Sequence, residues 1–153
     1  MTDYGLLCEQ LAALAEEEAG WVPLLSNASA LLYEALPELN WAGFYVRQDE
    51  KLVLGPFQGK VACIHIPLGK GVCGTAAATG ETQRVRDVHA FPGHIACDGA
   101  SNAEIVVPLR RGGEVVAVLD LDSPVFDRFT PEDQSGLEAF ARILEEKTDW
   151  GSL

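Results

Sequence analysis

The stretch HIACDGASNAE, His94 to Glu104, sets Cys97 between a histidine and an aspartate, among small and polar residues that cannot form a core. A buried structural cysteine usually sits among Val, Leu and Ile. A loop thiol is open to oxidation, so either it is incidental or it is used. Cys63 and Cys73 lie upstream and could meet it in space. With His65 and His94 these cysteines allow two chemistries. One is zinc ligation by Cys63, His65, Cys73, His94 and Cys97. Structural zinc sites pair ligands two to four residues apart, and only His94-x-x-Cys97 has that spacing, so no metal is expected. The other is thiol redox: each cysteine taken singly reads as a packed thiol, but together with the acidic residues described next they favour redox chemistry. Cys8 stands apart in a helical pattern and reads as incidental.

A second group is acidic. In EVVAVLDLDS the side chains alternate, so Asp120 and Asp122 project from one face of a strand. Gly112-Gly113 is a two-residue hairpin turn that pairs residue i with residue 225 − i, setting Glu104 almost opposite Leu121 and diagonal to both aspartates. Crowded carboxylates raise one another's pKa. They are either a solvated strand end or a pocket for an ammonium group, a metal or a proton, in which one carboxyl could serve as a general acid. Trp41 and Tyr45 share a strand face with Gly43 between them. They are core packing or, with the space that glycine leaves, an aromatic wall for an ammonium- or sulfur-bearing ligand.

These residues need elements to position them. Leu7, Leu11 and Leu14 give a helix over residues 4–18; Leu24, Ala28, Leu31 and Ala35 give a second over 24–36, stopped by Pro37. Strands are expected at 41–46 and 52–57, and over 62–66 with Ala62, Ile64 and Ile66 on one face. GKGVCGTAAATGE opens a short Ala-rich helix and lacks the spacing of a nucleotide-phosphate loop. A short strand at 84–86 and a long loop over 87–102 precede the hairpin. Thr130-Pro131-Glu132-Asp133 starts the last helix, which buries Leu137, Phe140, Ala141 and Leu144. The order implies one α+β domain over 1–153, a mostly antiparallel sheet with helices packed on it and a loop over its open face.

The formal net charge of −12 argues against nucleic acid and anionic membranes as partners. The opening residues read as no signal peptide and no run is long enough to span a bilayer, so a soluble cytoplasmic protein is expected.

LNWAGFYV, LGPFQGKVACIHIPLGKGVCGTAA, HIACDGASNAEIVVPL and VLDLDSP resemble the free methionine-(R)-sulfoxide reductases, enzymes built on a single GAF domain, over nearly the whole chain. The resemblance implies a six-stranded antiparallel sheet with a covered pocket, and reduction of free L-methionine-(R)-sulfoxide without a cofactor. It also implies recycling by thioredoxin and a homodimer. Cys97 falls on the catalytic cysteine, Cys63 on the recycling cysteine and Cys73 on an auxiliary one. Glu104, Asp120 and Asp122 fall on the substrate-binding carboxylates, and Trp41 and Tyr45 on the aromatic wall. In that chemistry Cys97 becomes a sulfenic acid and then a disulfide with Cys63. The alternative is a sensor that uses the same thiols without turnover.

Overall fold

In the computed structural model, which describes residues 1–95 and 99–153, the first helix, α1 (Tyr4–Glu17), is capped by Asp3, whose carboxylate accepts the Leu6 N–H at 3.0 Å. It is followed by α2 (Trp21–Ala35), β1 (Trp41–Gln48), β2 (Lys51–Gly59), β3 (His65–Pro67) and α3 (Gly71–Thr79). Then come β4 (Gln83–Val85), a 3-10 turn at Val88–Ala90, β5 (Ala103–Arg111), β6 (Glu114–Ser123) and α4 (Pro131–Lys147). The six strands form one sheet in the order β3-β2-β1-β6-β5-β4, every neighbouring pair antiparallel. This is the α+β architecture expected from the sequence.

Both faces of the sheet are covered. On one, α1, α2 and α4 bury Leu11, Leu25, Leu32, Leu137 and Phe140 against Phe44, Ile105, Leu119 and Leu121. The other face is smaller: α3 lays Val72, Cys73, Ala76 and Ala77 over Trp41, Tyr45, Val106 and Val118. A strand buried on both faces has no polar side, which is why β5 reads as the unbroken apolar run IVVPL.

The α4 start behaves as its sequence dictates. Thr130 and Asp133 form a capping box, with the Thr130 hydroxyl accepting the Asp133 N–H and the Asp133 carboxylate accepting the Thr130 N–H, each at 3.0 Å. The same carboxylate accepts the Tyr4 hydroxyl at 2.7 Å and pairs with Arg128 at 3.1 Å, tying α1 to α4. Gly136 makes that crossing possible, because a Cβ there would lie 2.2 Å from the Tyr4 ring.

Three expectations need correction. Leu24 and Ala28 of α2 are buried as expected, but the rest of its buried face is Leu25, Ser29 and Leu32, leaving Leu31 half-buried and Ala35 exposed, because the helix docks rotated from the predicted stripe. The strand expected over 62–66 shrinks to three residues, and Ile64 points outward with 60% of its surface exposed. Its backbone leaves the ladder after a single bond, from Leu54 N–H to the Ile64 carbonyl. The third correction concerns the hairpin register and sets the chemistry of the site.

Candidate active site

The β5–β6 hairpin starts in the register that its Gly-Gly turn demands, Arg111 opposite Glu114 and Arg110 opposite Val115. A bulge between Leu109 and Arg110 then shifts the pairing by one residue. Beyond it Glu104 lies directly opposite Asp122 and Val106 opposite Asp120, rather than Glu104 opposite Leu121. A one-residue slip exchanges the faces of a strand. The bulge therefore turns Glu104 to the α3 side, onto the face that carries both aspartates. On the other flank of β6, Trp41 pairs with Asp122 and Gly43 with Asp120.

Trp41, Glu104, Asp120 and Asp122 line a cavity of about 50 Å³ that is closed by α3, by Val61 and Ala62, and by His94, Ile95 and Ser101. That is room for a few water molecules. Glu104 and Asp120 form its buried floor, 8% and 5% exposed, while Asp122 is half-buried nearer the rim. Burial pushes the carboxyl of Glu104 well above the usual range, and the charge of Asp120 pushes it further. Asp120 is raised the same way, by burial and then by Asp122. The carboxylate oxygens of Glu104 and Asp120 lie within 4.8 Å of each other, so charge on one disfavours charge on the other. Both shifts run toward the protonated form of the floor.

Cys73, on the first turn of α3, reaches the same floor. Its Sγ lies 3.9 Å from Glu104 Oε2, and the ligand atoms of Cys73, Glu104 and Asp120 all fall within 4.8 Å of one another. Burial and then the charges of Asp120, Glu104 and Asp122 drive its pKa well up, so Cys73 is a neutral thiol. The zinc set considered from the sequence does not gather among the described residues; His65, for one, is exposed on the sheet edge opposite Val53.

The aromatic wall is present, but its gap is not. Trp41 stacks on Tyr45 at 5.9 Å and on Phe57 at 5.1 Å between ring centres. The place left by Gly43 is filled by Phe57, whose Cβ a side chain at 43 would meet at 2.2 Å. Glycine is there to admit β2, and Phe57 extends the wall. The polar edges of the wall are used as well: Trp41 Nε1 donates to the Lys60 carbonyl at 3.1 Å and Tyr45 Oη to the Cys63 carbonyl at 3.0 Å. Burial, then the negative charge of Asp120, raises the Tyr45 phenol, so it remains a donor.

Cys63 is half-buried and held in a disulfide, whereas Cys8 and Cys73 are free thiols. Cys97, the expected catalytic cysteine, lies outside the described residues. Sequence reasoning missed Lys70 and Ser101 and considered His94 only as a zinc ligand; all three line the cavity. Ser101 accepts a hydrogen bond from Asn40 Nδ2 at 3.0 Å and is buried. Lys70 immediately precedes α3, so a cation and the helix N-terminus share one edge of the pocket. Nothing in the local pattern around Lys70 marks it, because its role depends on where α3 docks.

A family model described as a GAF domain matches residues 25–145. The chain is 55% identical to the free methionine-R-sulfoxide reductase of Escherichia coli (strain K12) over 142 residues, covering 93% of this chain and 86% of that one. Among solved structures it is similar to the reduced form of fRMsr from Staphylococcus aureus, with a TM-score of 0.94, 50% identity and 97% of each chain covered. It is also similar to free methionine-R-sulfoxide reductase from Neisseria meningitidis in complex with its substrate. There the TM-score is 0.91, with 44% identity over 94% of this chain and 87% of the other.

Proposed function

The chain belongs to the free methionine-R-sulfoxide reductases, within the GAF-domain family, and we propose that it reduces free L-methionine-(R)-sulfoxide through a thiol cycle on Cys97 and Cys63. The observation that carries the chemistry is the buried acidic floor of Glu104 and Asp120 beside an aromatic wall of Trp41 and Tyr45. A sulfoxide is a poor electrophile until its oxygen is protonated, and burial shifts Glu104 and Asp120 toward the protonated form that could supply that proton.

In this reading the sulfoxide oxygen enters toward Glu104 and Asp120, and the methyl sulfur group lies against Trp41. Asp122, nearer the rim, takes the ammonium group. The substrate carboxylate faces Lys70 and the first turn of α3, where helix N–H groups lack intrahelical partners. The 60–63 side of the rim is latched by Trp41 and Tyr45.

The Cys97 thiolate attacks the sulfoxide sulfur while the floor donates its proton to the oxygen. The oxygen passes to Cys97, leaving a sulfenic acid, and methionine departs with the electron pair on sulfur. The Cys63 thiol then attacks Cys97, water leaves, and a Cys63–Cys97 disulfide forms. The oxidised state of Cys63, beside free Cys8 and Cys73, supports that pairing. A dithiol protein, thioredoxin by family likeness, restores both thiols by exchange. Cys73, a neutral thiol in this state, serves as a reserve. By the same likeness the enzyme is a single GAF domain over 1–153 that works as a cytoplasmic homodimer without a cofactor.

The test is turnover of the two sulfoxide diastereomers, as the free amino acid and within a peptide, with thioredoxin and its reductase supplying electrons. Consumption of the free R form alone supports the reading. Disulfide formation without release of methionine would instead mark a redox sensor.

A further inference from the structure

The pocket floor has the composition of a metal site that the reaction does not use. Cys73, Glu104 and Asp120 each offer one ligand atom, and those atoms lie within 4.8 Å of one another. A tetrahedral ion with bonds of about 2.0–2.3 Å needs neighbouring ligands about 3.3–3.8 Å apart. The separation of Cys73 Sγ and Glu104 Oε2, 3.9 Å, nearly meets that already.

A second observation points inward. Asp120 is 5% exposed, and its Oδ1 has no hydrogen-bond partner among the described residues although it lines the cavity. An unpartnered buried oxygen costs free energy that a cation would recover.

We propose that this floor binds a thiophilic divalent cation, zinc or its analogue cobalt, through Cys73 Sγ, Glu104 and Asp120, and that the bound ion excludes the sulfoxide. The chemistry of the donors selects the ion. One sulfur and two carboxylate oxygens suit zinc, whereas magnesium and calcium take all-oxygen sets. A coordinated thiol loses its proton, so the neutral state of Cys73 is no obstacle. Three protein ligands leave a fourth position open toward the cavity, where the sulfoxide oxygen would otherwise sit. Free zinc therefore acts as a reversible inhibitor. The exclusion half of the proposal rests on the reductase reading; the binding half does not.

The experiment uses the full chain with Cys63 and Cys97 replaced by serine, which leaves only Cys8 and Cys73 as thiols. Titration with cobalt(II) should give one equivalent of binding with a thiolate-to-cobalt charge-transfer band. Zinc should abolish that band by displacement. Cys73→Ser should lose the band, and Asp120→Asn should weaken binding at least tenfold, both with unchanged circular dichroism. Cys8→Ser should leave the titration as it was. Free methionine sulfoxide added to the cobalt-loaded chain should bleach the band. No band, or a band that survives Cys73→Ser, overturns the site. A band indifferent to saturating sulfoxide, in a protein whose parent turns the sulfoxide over, overturns the exclusion. A parent without turnover refutes the reductase reading and leaves the cobalt titration to decide the site.

Discussion

Tyr45 Oη donates a hydrogen bond to the Cys63 carbonyl at 3.0 Å, so the aromatic wall of the pocket also holds the backbone of Cys63. The bond joins β1, buried in the sheet, to a segment that has left the ladder. Trp41, four residues before Tyr45 on β1, makes the parallel bond to the carbonyl of Lys60. In the proposed cycle, substrate recognition and disulfide formation would thereby share two side chains.

Tyr45→Phe keeps the ring and removes that bond. Loss of one hydrogen bond costs about 1 kcal/mol. Steady-state turnover with thioredoxin should fall several-fold, while the methionine released in a single turnover stays near one per chain. Rapid-quench measurement of both phases checks this; a slowed first turnover with normal recycling would contradict it.

Cys97→Ser should abolish even a single turnover. Cys63→Ser should release about one methionine per chain and then stall as a sulfenic acid, which a dimedone adduct at Cys97 would reveal by mass spectrometry. Undiminished cycling of Cys63→Ser would show that Cys73 or the reductant itself does the recycling.

The acidic floor should cost stability. Glu104 and Asp120 have folded-state pKa values above their unfolded ones, because burial, then the charge of Asp120 on Glu104 and of Asp122 on Asp120, disfavours their charged forms. The folded chain therefore binds protons that the unfolded chain has released. Stability is full below the unfolded carboxylate range and declines as pH rises toward the raised values, by up to ~1.4 kcal/mol per pH unit for each proton. Glu104→Gln should remove part of that decline, so its Tm advantage over wild type should grow from weakly acidic to neutral pH while activity is lost. Equal pH slopes for the two proteins in thermal melts would show that the floor is not strained.

Asp133 has the opposite sign. Burial works against its charge, but the Thr130 backbone N–H, the Tyr4 hydroxyl and Arg128 outweigh it and hold its pKa low. Its contribution is present above the unfolded value of about 3.9 and is lost as pH falls through the lowered one. Asp133→Asn should cost about 1–2 kcal/mol at neutral pH, a penalty that closes in acid. Urea unfolding at several pH values measures it.

The free amino acid should be preferred through Asp122. An N-acetylated substrate brings a neutral amide and leaves that half-buried carboxylate without its cation. A hydrogen bond to a charged group is worth about 1.5–3 kcal/mol, hence roughly one to two decades in kcat/KM. Asp122→Asn should raise KM for the free sulfoxide and narrow the gap to its N-acetyl analogue. Equal efficiency on both substrates in the wild type would remove Asp122 from this role.

Much of this was legible in the chain itself. Local rules sufficed where the cause is local: the Thr130 cap, the Gly112-Gly113 turn, the alternation that sets Asp120 beside Asp122, and the apolar stripe of α4. The likeness of four segments to one family supplied the fold and the roles expected of Cys63, Cys73 and Cys97. Tertiary packing decided the rest. Strand periodicity has a period of two and cannot foresee a bulge, so only the folded sheet turns Glu104 onto the face of the aspartates. Gly43 looked like open space because its occupant, Phe57, comes from the neighbouring strand. Lys70 joins the pocket because α3 docks there, and no neighbour in sequence records that. A sequence states what each residue can do; which of them share a desolvated pocket, and so whose pKa moves, is set by contacts between elements distant along the chain.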